Sequence, residues 1–399
     1  QSEITLKVAV SMNAGEYAEL KRIAADNEST HPGLRIQLEN ILPSEAYAKL
    51  KKAAQLGDAP DVMLLRNEWV IEFAALGFLL PVDAMFTSEM QALQLEPALS
   101  QVKWNGYLWG YPKDVDLYVM AYSTKRLGEA KMDKPPATSE QLAELANATH
   151  DPEKGYYGVY VDLSDPSAFV ALVRMMGGQN TQSKALPVRL TEPNAMKAVE
   201  SILFPGGDNG EKHSLAKSFP EPGPDLDPWK LLAEGKIAGM LTTFSDYRQH
   251  AQEGIVWTPL PLPKGETIWK SGWLSGRSFA IYSRTEQAEP SFALIRELAS
   301  SPALRRYWEA GGPLPSMRYT YEVGGLKTDE SVESLLVWLD HDEAAPIHPQ
   351  KNRQLTVLKN ELDQLRKGAH TYKSFAEQTE LQWNGLKPAE SRGEQTPQP

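Results

Sequence analysis

Residues 59–69 read APDVMLLRNEW, and this stretch decides the fold. Pro60 and Asp61 break the chain, after which Val62, Met63, Leu64 and Leu65 run on without a polar interruption. A short apolar run bounded by turn formers is expected of a strand covered on both faces, as in a parallel sheet. Working back from it, Tyr47, Leu50 and Ala54 fall on one side of a helix that Ser44 is placed to cap and Gly57 to end. Leu34, Ile36 and Leu38 alternate as a second strand after the His31-Pro32-Gly33 turn. Tyr17, Leu20, Ile23 and Ala24 give helical spacing from Glu16 to Asn27, and Ile4, Leu6, Val8 and Val10 give a first strand. Strand, helix, strand, helix, strand predicts an α/β chain with a mostly parallel, doubly wound sheet.

Such a sheet binds ligands outside the carboxyl ends of its strands. Two segments qualify as loops there: Ser11-Met12-Asn13 and Arg66-Asn67-Glu68-Trp69. Working forward, residues 103–123 read KWNGYLWGYPKDVDLYVMAYS. Trp104, Tyr107, Trp109 and Tyr111 precede Lys113, Asp114 and Asp116, and an apolar strand follows from Leu117 to Tyr122. Aromatic faces beside carboxylates suit a polar, ring-bearing solute, whose C–H faces lie on the rings while its hydroxyls meet the acids. They equally suit a quaternary amine or polyamine. Further on, Thr138 and Gln141 make a capping box. Tyr157–Leu163, Ile237–Leu241 and Ser278–Tyr282 read as strands. Asp165-Pro166 opens a helix that runs up to Gly177-Gly178, Phe204–Pro228 is expected to be a long surface loop, and Ser291–Ala310 splits into two helices at Ser301-Pro302.

The chain has 399 residues, with 41% hydrophobic and 23% charged, a soluble globular composition. Its net charge of −11, with no basic cluster, argues against a nucleic-acid partner. No apolar run is long enough to cross a bilayer. Cysteine is absent, which removes disulfide and thiolate chemistry. Gln1 opens almost directly on a strand, so the chain is either cytoplasmic or shorn of a leader. No hydrolase elbow, zinc-protease, nucleotide-loop or calcium-loop motif is present. The seven histidines lack metal-ligand spacing, and no metal or cofactor is expected. The acids of Gly207-Asp208-Asn209 and Asp225-Leu226-Asp227 read as solvated loop residues. Glu68 with Asp116 leaves a glycoside-cleaving carboxylate pair open. Among ten Trp and fifteen Tyr, Trp69, Trp104, Trp109, Trp229, Trp257, Trp269 and Trp273 fall in segments read as loops.

Several stretches together resemble the family 1 extracellular solute-binding proteins of ABC importers, the group that includes maltose-binding protein. They are APDVMLLRNEWVIEFAALGFLLPVDAMF (59–86), WNGYLWGYPKDVDLYVMAYST (104–124), KPPATSEQLAELA (134–146), LLAEGKIAGMLTTFSDYRQ (231–249), LPLPKGETIWKSGWLSGRSFAIYS (260–283) and SSPALRRYWEAGGPLPSMR (300–318). The resemblance covers most of residues 1–320 in the family's order. It departs from the family at Val119–Ser123 and at Ser139, where an Asn-ended aromatic run and a Trp are usual. It implies a two-lobed binding-protein fold with a hinge of several crossings. The implied lobes are 1–114 with 259–315, and 115–258 with 316–390, followed by a flexible tail over 391–399. The implied ligand residues are Asn67, Glu68 and Trp69 in the first lobe, Asp116 on the strand leading out of it, and Asp165, Phe244, Ser245 and Tyr247 in the second; Asn13, at the end of the first strand, joins them as a sheet-end candidate. Trp269 and Trp273 lie on the return loop. The implied role is that of a non-catalytic, monomeric carrier outside the cytoplasm, either a lipoprotein or free in the periplasm. It would close on a carbohydrate, an oligosaccharide foremost, and hand it to the importer's membrane permease. Arg66, Lys113 and Lys270 leave an acidic sugar open.

Overall fold

A computed structural model describes residues 3–178, 186–206, 215, 218–220, 226–267, 273–326, 330–339 and 348–386. The chain divides into two compact units, the first built from residues up to Asp116 and from Ser275 to Asn352. The second is built from Leu117 to Leu274 and, from Arg353, the rest of the described residues. Among the described residues the chain thus crosses at 116/117, 274/275 and 352/353, against the expected 114/115, 258/259 and 315/316. Local pairing accounts for both larger differences. Thr138 bridges Leu262 and keeps the return loop with the second unit. Ser316 donates through its amide to the Lys113 carbonyl and through its hydroxyl to the Pro112 carbonyl, keeping the following turn with the first unit.

Unit 1 opens with β1 (Ile4–Val10), α1 (Ala14–Thr30), β2 (Leu34–Asn40), α2 (Pro43–Leu56), β3 (Val62–Arg66) and α3 (Asn67–Ala75). β1 lies between β2 and β3, parallel to both. Val62 to Leu65 are all buried, as a strand covered on both faces requires. Two sequence expectations need correcting here. α2 begins at Pro43 with Leu42 at its cap position and no side-chain cap bond, so Ser44 lies inside the helix. Proline is suited to a first helical position because its missing N–H is one of the donors left unpaired there. Gly57 does end α2, at φ 79°, where a residue with a Cβ would be strained. The second correction is that Asn67, Glu68 and Trp69 form the first turn of α3 and are not a loop.

Short helices α4 (Ser88–Ala92) and α5 (Glu96–Ser100) lead to a hairpin, β4 (Lys103–Trp104) and β5 (Tyr107–Leu108). Its tip is Asn105-Gly106, with φ 50° and 81°, the pair of positive values that a tight two-residue hairpin turn demands. The next strand, β6 (Tyr111–Ser123), carries the chain from unit 1 into unit 2.

In unit 2 the elements are α6 (Thr124–Glu129), α7 (Ser139–Thr149), β7 (Tyr157–Tyr160), α8 (Pro166–Met175) and α9 (Pro193–Leu203). They continue with α10 (Pro228–Ala233), β8 (Ile237–Thr243), α11 (Phe244–His250) and β9 (Ile255–Thr258). β8 pairs parallel with β7 and antiparallel with β6, which also takes β9. Thr138 caps α7 by accepting from the Gln141 amide, while Gln141 accepts in return from Ala137, one residue further back than a capping box would have it. β7 stops at Tyr160, short of the expected Leu163. The stretch expected to be a surface loop buries Phe204, Leu215 and Phe219. Residues 207–209 and 225 lie outside the described residues, as does the tail over 391–399.

Unit 1 is completed by β10 (Leu274–Ile281), α12 (Ala288–Leu298), α13 (Ser301–Glu309), β11 (Leu314–Pro315), α14 (Arg318–Glu322) and α15 (Glu330–Leu339). α16 (Lys351–Arg366) and α17 (Tyr372–Asn384) follow. β10 pairs antiparallel with β3, so the unit 1 sheet is mixed. Its core draws on Leu6, Val8, Met63, Leu65, Phe73, Phe279, Ile281 and Leu304. Each such side chain contributes about 1.5–3 kcal/mol by leaving water.

β10 comes so close to β6 that a Cβ on Gly276 would sit 2.2 Å from the Asp114 carbonyl oxygen and 3.1 Å from Asn67 Nδ2. Gly276→Ala is therefore expected to cost about 1–3 kcal/mol through forced separation of backbones. Urea unfolding measures this, and an unchanged midpoint would show that the strands can part freely.

Candidate functional site

In both units several of the expected ligand residues follow the carboxyl ends of adjacent parallel strands, where open α/β sheets bind. Asn13 follows β1, and Asn67 to Trp69 follow β3. Asp165 follows β7, and Phe244, Ser245 and Tyr247 follow β8.

Within unit 1 most of these side chains are already engaged. Asn13 caps α1: its Oδ1 accepts from the Glu16 amide at 2.8 Å, and its Nδ2 donates to the Gly311 carbonyl at 3.3 Å. Asn67 is buried, donating to Gln101 Oε1 at 3.2 Å and accepting from Ser278 Oγ at 2.7 Å. Trp69 packs into the core against Tyr47, ring centroids 5.5 Å apart. Glu68 is buried and accepts from Arg66 Nε at 2.6 Å. Burial pushes its carboxyl up, but Arg66 and Lys351 outweigh that and hold it below the usual carboxylate range. Glu68 also lines a cavity of about 10 Å³ with Ile71, Gln101, His348 and Lys351, room for a single water. Asp116 is the one residue of β6 that is not buried. Its carbonyl accepts from Ser275 Oγ at 3.5 Å.

The charges in the opening aromatic stretch have an unexpected use. Lys113 Nζ donates to Glu16 Oε1 at 2.8 Å and to Asp114 Oδ2 at 2.9 Å, and lies 4.3 Å from the centre of the Tyr307 ring. Arg277 joins the same two carboxylates: Nη2 donates to Glu16 Oε1 at 2.6 Å and to Asp114 Oδ2 at 2.7 Å. Two cations and two anions thus share a buried cluster in unit 1, with Lys113 held inside it. Burial pushes the Glu16 carboxyl up, yet Lys113 and Arg277 outweigh it and bring it down to about 2. Burial also works against the Arg277 charge, and Asp114 and Glu16 more than compensate, so its guanidinium stays protonated. Nothing local in the sequence marks this cluster, whose members come from α1, β6 and β10.

The aromatic hairpin is a fixed platform. Trp109 Nε1 donates to the Trp104 carbonyl at 2.8 Å, with ring centroids 6.2 Å apart, and Tyr107 meets Trp109 edge-on at 5.9 Å. Tyr111 is buried against Phe86.

Unit 2 gathers its candidates more tightly. Asp165 caps α8, with Oδ1 accepting from the Ser167 amide at 3.0 Å, while Oδ2 accepts from the Tyr118 hydroxyl at 2.7 Å. Tyr118 is register partner to Thr243, the last residue of β8, whose side chain caps α11 by accepting from Asp246. Phe244 and Tyr247 follow it on α11, with Ser245 Oγ at 3.4 Å from Thr243 Oγ1. Trp257 on β9 completes the group, 5.0 Å from Phe244 and 6.1 Å from Tyr247. Trp257 and Tyr118 are absent from the expected set. The signal for Trp257 was its strand position beside β6, where it pairs with Ala121. Trp273 is buried at the foot of β10, and Trp269 and Lys270 lie outside the described residues.

Parallel strands ending in polar and aromatic turns, twice over in one chain, define a binding protein of the open α/β kind. The chain belongs to the bacterial extracellular solute-binding proteins, whose family model matches residues 13–303. This family is non-catalytic and acts outside the cytoplasm. A maltotriose-binding protein from Pyrococcus abyssi is 20% identical over 300 residues, 73% of this chain and 62% of that protein. The matched stretch therefore spans less than two thirds of that relative's length. The GacH receptor of Streptomyces glaucescens, solved unliganded and with acarbose, superposes with a TM-score of 0.78 at 20% identity, covering 96% of this chain and 98% of that one. A solute-binding protein from Thermotoga lettingae, solved with α-D-tagatose, gives 0.79 at 19%, covering 96% and 99%. The fold is the two-lobed α/β type of these proteins. No described helix is long and apolar enough to cross a membrane.

Proposed function

We propose that this chain captures a carbohydrate, an oligosaccharide foremost, and presents it to the membrane permease of an ABC importer. The observation that carries the reading is the pair of groups in unit 2: the mutually packed Phe244, Tyr247 and Trp257 rings after β8 and on β9, and the Asp165–Tyr118 hydrogen bond after β7. Ring faces accept sugar C–H faces, and the acid with its phenol partner offers hydroxyl-binding atoms. Asp116, the half-buried acid of β6, would serve from unit 1. Lobes joined by several crossings would close on a solute that both lobes touch, because a ligand shifts an equilibrium only by preferring one state. The chain would act as a monomer, either lipid-anchored or free in the periplasm.

A glycan-cleaving role needs one carboxyl to donate a proton. Glu68, ion-paired to Arg66 and held ionised, is a poor acid for it. Lys113 is committed to Glu16 and Asp114 and offers nothing to an acidic sugar.

Calorimetry with maltotriose, acarbose, uronate oligomers and a polyamine tests the reading. A neutral glycan is expected to bind near micromolar, about −8 kcal/mol. Trp257→Ala is expected to weaken it about tenfold by removing one stacking face. Binding of the polyamine alone, or glycan products on chromatography, would replace the carbohydrate-carrier reading.

A further inference from the structure

We propose that Arg277 is a positioning residue for solute binding, holding the end of β1 and the Asp116 segment of β6 in place; this rests on the carrier reading above. Its guanidinium reaches three separate segments at once. Nη1 donates to the Ser11 carbonyl at 2.9 Å, just past β1. Nη2 reaches Glu16 on α1, and Nε donates to Asp114 Oδ2 on β6 at 3.0 Å. The Arg277 amide itself donates to Asp114 Oδ1 at 3.0 Å.

Each of those grips bears on a residue next to the binding end of unit 1. Ser11 leads into Met12, whose amide and carbonyl are both held by Asn40. Asn13 follows, and its amide donates to the second Glu16 oxygen at 3.4 Å, so its setting depends on where Glu16 is held. Asp114 and Asp116 are two residues apart on one strand, hence on the same side of it. The Ser275 hydroxyl, two residues before Arg277, ties the Asp116 carbonyl. One side chain on β10 therefore grips both the end of β1 and the part of β6 that carries Asp116. Lysine keeps the charge but is a point donor, unable to serve Ser11, Glu16 and Asp114 together.

Arg277→Lys in the full chain separates positioning from mere stability. Maltotriose affinity is read by calorimetry, and amide hydrogen exchange is followed at Met12 and Asn13. Leu50→Ala, a core change on α2 away from the cluster, serves as the control that lowers stability only. The expected result is a maltotriose Kd raised at least tenfold in R277K, with Met12 and Asn13 exchanging at least tenfold faster, while L50A keeps Kd within twofold. An R277K protein with Kd within twofold of wild type, or with unchanged exchange at both amides, overturns the proposal. If wild type binds no glycan, the carbohydrate reading fails and the exchange comparison alone decides. Should R277K not fold, Asp114→Asn loosens the same grip and is judged by the same two measurements.

Discussion

Replacing Lys113 by Met is expected to remove about 3–5 kcal/mol of stability, a large share of the 5–15 that a folded domain typically has. The lysine head lies between the Glu16 and Asp114 carboxylates at 2.8 and 2.9 Å, with its side chain 1% exposed. Taking it away leaves Arg277 alone to face two buried carboxylates. Methionine fills the space, so the loss is electrostatic and not a cavity effect. It also forfeits the contact with the Tyr307 ring, which is smaller. Urea unfolding at neutral pH reads the difference. A loss below about 1 kcal/mol would mean that the four charges do not depend on one another.

The second large effect is on acid stability. Glu16 has its carboxyl brought from 4.5 to about 2 in the folded chain. A carboxyl depressed by folding gives stability that is whole above its unfolded value and is shed as pH falls towards its folded value. The contribution is therefore complete above pH 4.5 and is lost on the way down to about 2, amounting to about 3 kcal/mol. Urea midpoints taken from pH 6 to 2 should fall more steeply for wild type than for Glu16→Gln. Gln cannot gain a proton, so its curve lacks this component, though it starts lower at neutral pH. Parallel curves would show that Glu16 titrates in the folded chain as it does in the unfolded one.

Much of the framework was legible because it rests on local pattern. The run Val62–Leu65, the alternation of Leu34, Ile36 and Leu38, and the Asp165-Pro166 and Ser300-to-Pro302 helix starts each reflect chemistry within a few residues. The failures have local reasons too. Ser44 was a good cap residue, but Pro43 beside it was a better first helical residue. Asn67 to Trp69 looked like a loop because polar residues follow a strand, although they begin a helix with no linker at all.

The candidate site was legible only in outline. Asp165 and the Phe244 turn lie where the resemblance put them, after β7 and β8. The partners that give them shape, Tyr118 and Trp257, come from β6 and β9 and depend on strand register, which composition does not reveal. The Lys113 cluster was least legible of all. Lys113 and Asp114 sit among aromatics in the sequence and look ready for a solute, while the groups that claim them are 97 and 163 residues away.

The strand that links the two units has no slack. β11 holds β6 through Asp114 and Val115, β8 takes it up again at Tyr118, and only Asp116 and Leu117 lie between. Losing or gaining one residue there would turn every later side chain of the strand over, exposing what is buried in unit 2 or misaligning what is paired in unit 1. Natural variants of this chain should thus hold the length of 114–118 fixed, whereas the Asn105-Gly106 tip, exposed at the end of its hairpin, is where insertions can accumulate.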